Sequence, residues 1–357
     1  MILLPLALLC APQAVPPAPA RIQHPGGPAT VERRAALMGT HLRLTITAHD
    51  RSAALAASEA ALGALLAAQE RLSTWSNTGE LALLNAAPPD VARALSPLLA
   101  RDLARCDHWW RATSGAFDPA LAPLVAAWDL RGRGRVPSPT ELTAAREASG
   151  WRRGTLQGQS YRRSTPRPLL DEGGFGKGAG LADALAALAA SGAQAGLLDL
   201  GGQLALFGPR EQRLSLADPR DRQRPVLELT ISAGSLATSG NSERSLAADG
   251  LALGHLLDPR SGHPAATTGS CTVWTPSPLD ADCLSTALFV MGPREAWAWQ
   301  EKRASSPEAL PPVELLLLDW RGDTLRAVAT PGFSGRLRPL TDDIELTFPV
   351  AGEAPWN

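Results

Sequence analysis

At 357 residues, 45% of them hydrophobic, the chain has enough apolar material to bury one large core or two smaller ones. Its 34 basic and 35 acidic residues leave a formal net charge of −1, which argues against a nucleic-acid binder with a broad basic footprint. Lys177 and Lys302 are the only lysines, so arginine supplies nearly all of the positive charge.

Residues 1–18 carry a short apolar stretch followed by small residues, the pattern of a secretory leader with cleavage near Ala14 or Ala18, although no basic segment precedes it. Cys10 invites a lipoprotein reading, but Leu9 before it is bulkier than a lipidation site prefers. The expected location is the periplasm or cell envelope, with any membrane attachment made through the N-terminus. No later run is expected to supply the roughly 20 apolar residues a membrane span needs. Residues 19–30 are rich in Pro and Gly and read as a linker, and residues 31–350 as the functional domain.

Along that domain, Leu42–Thr47 alternates with period two and predicts a strand. Residues 51–72 predict an alanine-rich helix, 73–79 a loop and 80–85 a short helix. Further helices are predicted over 93–113, about 119–128 and 139–148, with the Arg/Pro/Ser-rich stretch 131–168 carrying weak strands. After the glycine run at 173–178, a helix is predicted over 178–191. Strands follow at 195–200, 203–207, 213–217, 225–232 and 234–238. Helices followed by runs of short strands predict an α+β fold. Once a leader is removed, Cys106, Cys271 and Cys283 remain. They match no zinc spacing and read as free buried thiols, with a Cys271–Cys283 bridge as the alternative.

Two segments carry candidate chemistry. Asp282 and Thr286 lie four residues apart and share a helix face, a pair of hard oxygen donors suited to Mg2+. Taken alone, Asp282 is equally a helix cap and Thr286 a surface residue. Their face is expected to lie apart from the core face. The second segment, Asp171-Glu172-Gly173-Gly174-Phe175-Gly176-Lys177-Gly178, reads as strand, glycine turn and helix start. Its glycines allow close backbone approach, and the helix N-terminus and Lys177 favour phosphate. It fits neither the dinucleotide fingerprint nor the Walker A loop. His255, in the turn-rich segment Gly254–Pro264, is a candidate general base because imidazole titrates near neutral pH. No G-x-S-x-G elbow supports a serine hydrolase.

These segments, together with Met38-Gly39-Thr40, the 73–85 stretch, Gly115-Ala116-Phe117-Asp118-Pro119 and Thr238-Ser239-Gly240, occur in one order over residues 35–295. In that order they resemble the FAD:protein FMN transferase family (ApbE-like flavin transferases). The resemblance implies a T-fold-like antiparallel sheet flanked by helices. It implies FAD as substrate, contacted by Met38, Trp75, Ala116, Phe117, Asp118, Asp171, Lys177 and Leu256. It implies Mg2+ held by Asp282, the Thr286 hydroxyl and the Gly174 carbonyl. Some members carry a second Asp where this chain has Ser285, and Gly174-Phe175-Gly176-Lys177 varies the usual Gly-Ile-Ala-Lys order.

The implied reaction has His255 take the proton of a target threonine or serine as its oxygen attacks the FMN-side phosphorus, with Asp282 serving the metal. AMP leaves, and FMN stays on the target as a phosphoester. The implied partner is an acceptor flavoprotein with an Asp-x-x-(Ser/Thr)-Gly-Ala-(Ser/Thr) motif. Self-flavinylation is not expected, because Phe117 stands where Ser114-Gly115-Ala116 would need an acceptor hydroxyl. The alternatives are an FAD pyrophosphatase, which yields FMN and AMP, and a non-catalytic flavin-binding protein.

Overall fold

The structure is a computed structural model that describes residues 27–241, 245–248, 251–266, 268–305, 311–350 and 352–356. The leader-like residues 1–18, Cys10, most of the linker, and Ser242, Glu243 and Arg244 lie outside the described residues. The chain opens with strands β1 (Ala29–Leu37) and β2 (Thr40–Ala48), then helices α1 (Arg51–Leu72) and α2 (Glu80–Ala86). Strand β3 (Arg93–Ala94), helices α3 (Pro97–Ala112), α4 (Ala122–Ala127) and α5 (Pro139–Ala148), and strands β4 (Gly154–Gln157) and β5 (Ser160–Arg163) follow. Helix α6 (Gly176–Ala190) leads into β6 (Ala195–Leu200), β7 (Gln203–Phe207), β8 (Gln212–Ala217), β9 (Pro225–Ile231) and β10 (Gly234–Gly240). Next come β11 (Ser245–Ala248), β12 (Leu251–Gly254), β13 (Ser270–Thr275) and the long helix α7 (Pro278–Ala304). Strands β14 (Glu314–Arg321), β15 (Thr324–Ala329), β16 (Leu337–Pro339) and β17 (Ile344–Thr347) complete the chain.

The fold is α+β. A nine-stranded sheet runs β1-β2-β6-β7-β10-β13-β14-β15-β17, antiparallel throughout except for the parallel β15–β17 pair. Helices α1, α6 and α7 pack side by side, with α1 on β1 and β2 and α7 on β10 and β13. Alanines make this close approach feasible. Ala54, Ala57, Ala61, Leu65 and Ala68 recur at helical spacing on α1 and are all fully buried. Where α1, α3 and α6 meet, Arg71 bonds both Asp102 (3.0 Å) and Asp183 (2.7 Å), a buried junction that pins α6 in place.

Several boundaries differ from the sequence reading, each for a local reason. Strand β1 was not anticipated and starts at Ala29, inside the stretch read as linker; as an edge strand its Glu32, Arg33 and Arg34 mask the alternation. Helix α3 starts at Pro97, because Ser96 caps the Leu99 N–H and proline suits the first helical turn. Leu169-Leu170 is extended but joins no ladder; the Asn85 side chain accepts both its N–H groups, at 2.9 Å each. Strand β10 continues to Gly240, two residues beyond the predicted end at 238. Helix α1 is, contrary to expectation, long and apolar enough by length and composition alone to cross a membrane, yet it packs on α6 and the sheet. Helix α7 kinks at Gly292 (φ 76°), just before Pro293, which breaks the regular helix there.

Candidate functional site

Four stretches of chain distant in sequence converge at one end of the α6–α7 pair. The first is the turn after α3. Ser114 and Gly115 both take positive φ (52° and 82°), reversing the chain so that Ala116-Phe117-Asp118 runs back under the helix. The Thr113 hydroxyl accepts the Phe117 N–H at 3.1 Å, and Phe117 is 1% exposed. The second is the glycine turn 171–175 leading into α6. The third is the loop 255–265 after β12, and the fourth is the first two turns of α7.

The helix of Asp282 begins earlier than a capping role would need: Ser277 is the N-cap, accepting the Asp280 N–H. Asp282 therefore sits in the second turn, and Thr286 one turn on. Asp280 is anchored separately by Arg105 and by Trp109 (2.7 Å), which fixes the helix start against α3. Asp282 is 4% exposed, so its face is packed rather than set apart from the core as expected. Its Oδ2 accepts the Gly178 N–H at 2.8 Å, and its Oδ1 lies 3.5 Å from Lys177 Nζ. Helix α6 has no side-chain cap of its own, since its N-cap is Phe175. Asp282 thus supplies from α7 the acceptor that α6 lacks, and places its charge at that helix's positive end.

This contact depends on glycine. A Cβ on Gly178 would stand 2.5 Å from the Pro278 carbonyl oxygen and 2.8 Å from Leu279 Cα, both backbone atoms. A Cβ on Gly174 would meet Phe117 at 3.3 Å and the Thr286 hydroxyl at 3.7 Å, so the glycine turn lies directly against Thr286. Asp282, Thr286 and the Gly174 backbone are therefore neighbours, a set of hard oxygen donors. Among the described residues no group of three His, Cys, Asp or Glu side chains gathers to hold a metal. A cation here would have one carboxylate, and would complete its shell from water and substrate oxygens, as Mg2+ commonly does. Ser285 does not join this set. It is 1% exposed, and its hydroxyl donates to the Asp282 carbonyl at 3.1 Å while accepting from Ser239 of β10 at 3.0 Å.

The resulting cleft, of about 150 Å³, is lined by Ala116, Phe117, Asp118, Asp171, Gly174, Lys177, His255, Leu256, Asp282 and Thr286, together with Ser239 and Gln203. It adjoins a larger groove of about 960 Å³ that shares Val125 and Asp171 with it. Ten of the candidate site residues thus meet in one place. Met38 and Trp75 do not line either cavity. Met38 holds positive φ (50°) at the β1–β2 hairpin, with its N–H bonded to Gln69 at 2.6 Å and its side chain against Gly176 and Gly180 of α6. Trp75 is 67% exposed beneath the Arg131 guanidinium, 4.9 Å from its ring centre.

Arg131 and Glu172 tie the two cavities together, and neither was anticipated. Arg131 donates to Asp171 (2.5 Å) and to the Thr74 hydroxyl (2.5 Å). Glu172 accepts the Thr74 N–H (3.2 Å) and the Thr74 O–H (2.5 Å). Burial raises the pKa of the Glu172 carboxyl, with Asp171 beside it adding to the effect. Only a prior match between Thr74 and Glu172, 98 residues apart, would have revealed them. Asp118 touches solvent but is surrounded by protein, and that desolvation lifts its pKa to about 6 against the N–H groups of Trp151 and Ala120 that it accepts. Cys283, next to Asp282, shares a hydrogen bond with Cys106 of α3, and Cys271 is also free; all three thiols are buried, and the Cys271–Cys283 bridge does not form.

A profile of the ApbE family matches residues 38–310. The chain is 30% identical over 346 residues to the FAD:protein FMN transferase of Treponema pallidum (strain Nichols), covering 88% of this chain and 91% of that one. It is similar in fold to the flavin transferase ApbE from Vibrio cholerae, with a TM-score of 0.73 and 23% identity over 87% of this chain and 99% of that one. It is likewise similar to the apbe protein of Thermotoga maritima, with a TM-score of 0.71 and 25% identity over 81% and 94%.

Proposed function

The chain belongs to the ApbE family, and from that premise we propose that it is a Mg2+-dependent enzyme moving FMN from FAD to a threonine or serine hydroxyl of a target protein. The observation that carries this reading is the convergence of Asp282, Thr286, the Gly174 backbone, Lys177 and His255 on one cleft. The N-terminus of α6, with Lys177 in its first turn, binds the FAD diphosphate, and the rest of the dinucleotide extends along the adjoining groove. When bound by Asp282, Thr286 and the Gly174 carbonyl, Mg2+ neutralises and polarises that diphosphate. Phe117 and Leu256 exclude water from the cleft floor. His255 accepts the proton of the incoming hydroxyl as its oxygen bonds to the FMN-side phosphorus. The bond from that phosphorus to the AMP side breaks, and AMP departs while FMN remains as a phosphoester. A cell-envelope location, with residues 1–18 as leader, belongs to the same proposal.

The test incubates the protein with FAD, Mg2+ and a peptide carrying the Asp-x-x-Thr-Gly-Ala-Thr motif. The peptide should gain one FMN with release of AMP, and EDTA should stop both. Asp282→Asn is the informative variant, because its amide oxygen can still accept the Gly178 N–H while the metal loses its only carboxylate. Its turnover should fall by about 10²-fold or more, consistent with losing one strong electrostatic group at a reacting phosphate, with the melting temperature little changed. His255→Ala should lower transfer by about 10²–10⁴-fold, the usual worth of a general base, while leaving FAD affinity near native. Free FMN and AMP with unmodified peptide would replace the transferase reading by a pyrophosphatase, and bound FAD without turnover by a flavin-binding protein.

A further inference from the structure

The ionisable side chains that line the 150 Å³ cleft are Asp118, Asp171, Asp282, His255 and Lys177, and among them only Lys177 is an ammonium. Two of the three acids are answered elsewhere: Asp171 by Arg131 from the adjoining groove, and Asp118 by the N–H groups of Ala120 and Trp151. Asp282, at 4% exposure, has Lys177 as its one ion-pair partner among the described residues. Its two oxygens have separate duties. Oδ2 is committed to the Gly178 N–H at 2.8 Å, inside the seam between α6 and α7, and Oδ1 lies 3.5 Å from Lys177 Nζ. The oxygen left for a metal is therefore the one that Lys177 neutralises.

An ammonium and a divalent cation on one carboxylate oxygen repel each other strongly where water is scarce. A buried carboxylate with neither would be costly, so Asp282 needs one of the two. The side chain at 177 suits an exchange. It is 31% exposed, so the ammonium has room to leave. Lysine is a compact charge on a flexible stem, whereas arginine, which this chain uses everywhere except at Lys177 and Lys302, grips a carboxylate with a planar fork. We propose that Lys177 and the divalent cation exchange on Asp282: Lys177 is its counter-ion until the metal displaces it, and the displaced ammonium then turns to the FAD diphosphate. The inference deepens the transferase reading and rests on its Mg2+ site. It makes Lys177 a positioning residue with two partners. It also couples the two ligands, because a diphosphate that draws Lys177 away uncovers Oδ1 for the metal, and by linkage the metal strengthens the diphosphate's hold in return.

The test titrates Mn2+ without flavin, by electron paramagnetic resonance and by calorimetry, into native protein and the variants Lys177→Met, Lys177→Arg and Asp282→Asn. Lys177→Met keeps the stem and removes the charge, and its Kd for Mn2+ should fall by about tenfold or more, the scale of one unit charge a few ångströms from the metal. Lys177→Arg keeps the charge but holds the carboxylate by its fork, and should raise that Kd. In EDTA, FAD affinity should drop in Lys177→Met and stay near native in Lys177→Arg. Mn2+ should also raise the melting temperature of Lys177→Met by more than that of native protein, whatever the starting stability of the variant. An unchanged Mn2+ Kd in both lysine variants would overturn the exchange. Weaker Mn2+ binding in Lys177→Met would do the same and make Lys177 a brace for Asp282. FAD affinity indifferent to Lys177→Met would remove the diphosphate as its second partner. Mn2+ binding that survives Asp282→Asn at native strength would instead sink the metal site on which the inference rests.

Discussion

Asp118 is a candidate site residue whose chemistry the fold changes. As a sequence symbol it is an ordinary acid; in the fold, burial lifts its carboxyl to about 6 despite two backbone N–H donors. A carboxyl whose pKa rises on folding favours the folded state below its unfolded value of 3.8, and that contribution disappears as pH climbs through about 6. Ligand-free protein should therefore lose stability between about pH 4 and 6 relative to Asp118→Asn, and thermal melts of both across that range would measure the difference. Parallel curves would mean that Asp118 ionises normally. FAD affinity should move the opposite way, improving as Asp118 ionises and gains acceptor strength, and the Asn variant should lack that inflection. At the same scale, Asp282 and Thr286 were legible because their i, i+4 spacing is itself a local signal. Arg131 and Ser239 were not, since their partners are supplied from 40 and 46 residues away.

At the scale of elements, the site depends on how closely α6 approaches the start of α7. Each helix carries one of the candidate groups, Lys177 on one and Asp282 on the other, and Gly178 sets the gap between them. Gly178→Ala would push a methyl into the Pro278 carbonyl and Leu279 backbone, which cannot turn aside as a side chain could. The variant should be less stable by about 1–3 kcal/mol, the usual cost of overpacking, and its Mg2+-dependent turnover should drop more than stability alone explains. Gly63→Ala is the control. Gly63 lies mid-helix in α1 with nothing within 4 Å of a new Cβ, and the change should stabilise by about 0.5–1 kcal/mol. Chemical denaturation of both, with activity measured well below the transition, separates the two effects. Native activity in Gly178→Ala would show that the seam tolerates opening. The helices themselves were readable from alanine spacing and caps, down to the bounds Arg51–Leu72 and Pro139–Ala148. That α6 borrows its cap from α7 was not, because an N-cap is normally sought in the residues just before a helix.

Across the whole molecule, the cleft draws on the turn after α3, the glycine turn, the 255–265 loop and α7, so a ligand spanning it braces distant parts of the chain. Free FAD at 100 times its dissociation constant should add about 2.7 kcal/mol to the unfolding free energy by mass action. With Mg2+ present, calorimetry should record a rise in melting temperature that shrinks on adding EDTA. A rise indifferent to EDTA would separate the metal from flavin binding. By itself the sequence determined the α+β class, most helices and central strands, and the short motifs that hold the oxygen donors, because each is written in neighbouring residues. The tertiary structure alone decided which sheet those strands form, that Asp282 is a buried cap, that Ser285 turns to Ser239, and that Cys283 meets Cys106 rather than Cys271. Those outcomes are contacts between residues tens to more than a hundred positions apart, and no local propensity encodes a partner at that distance.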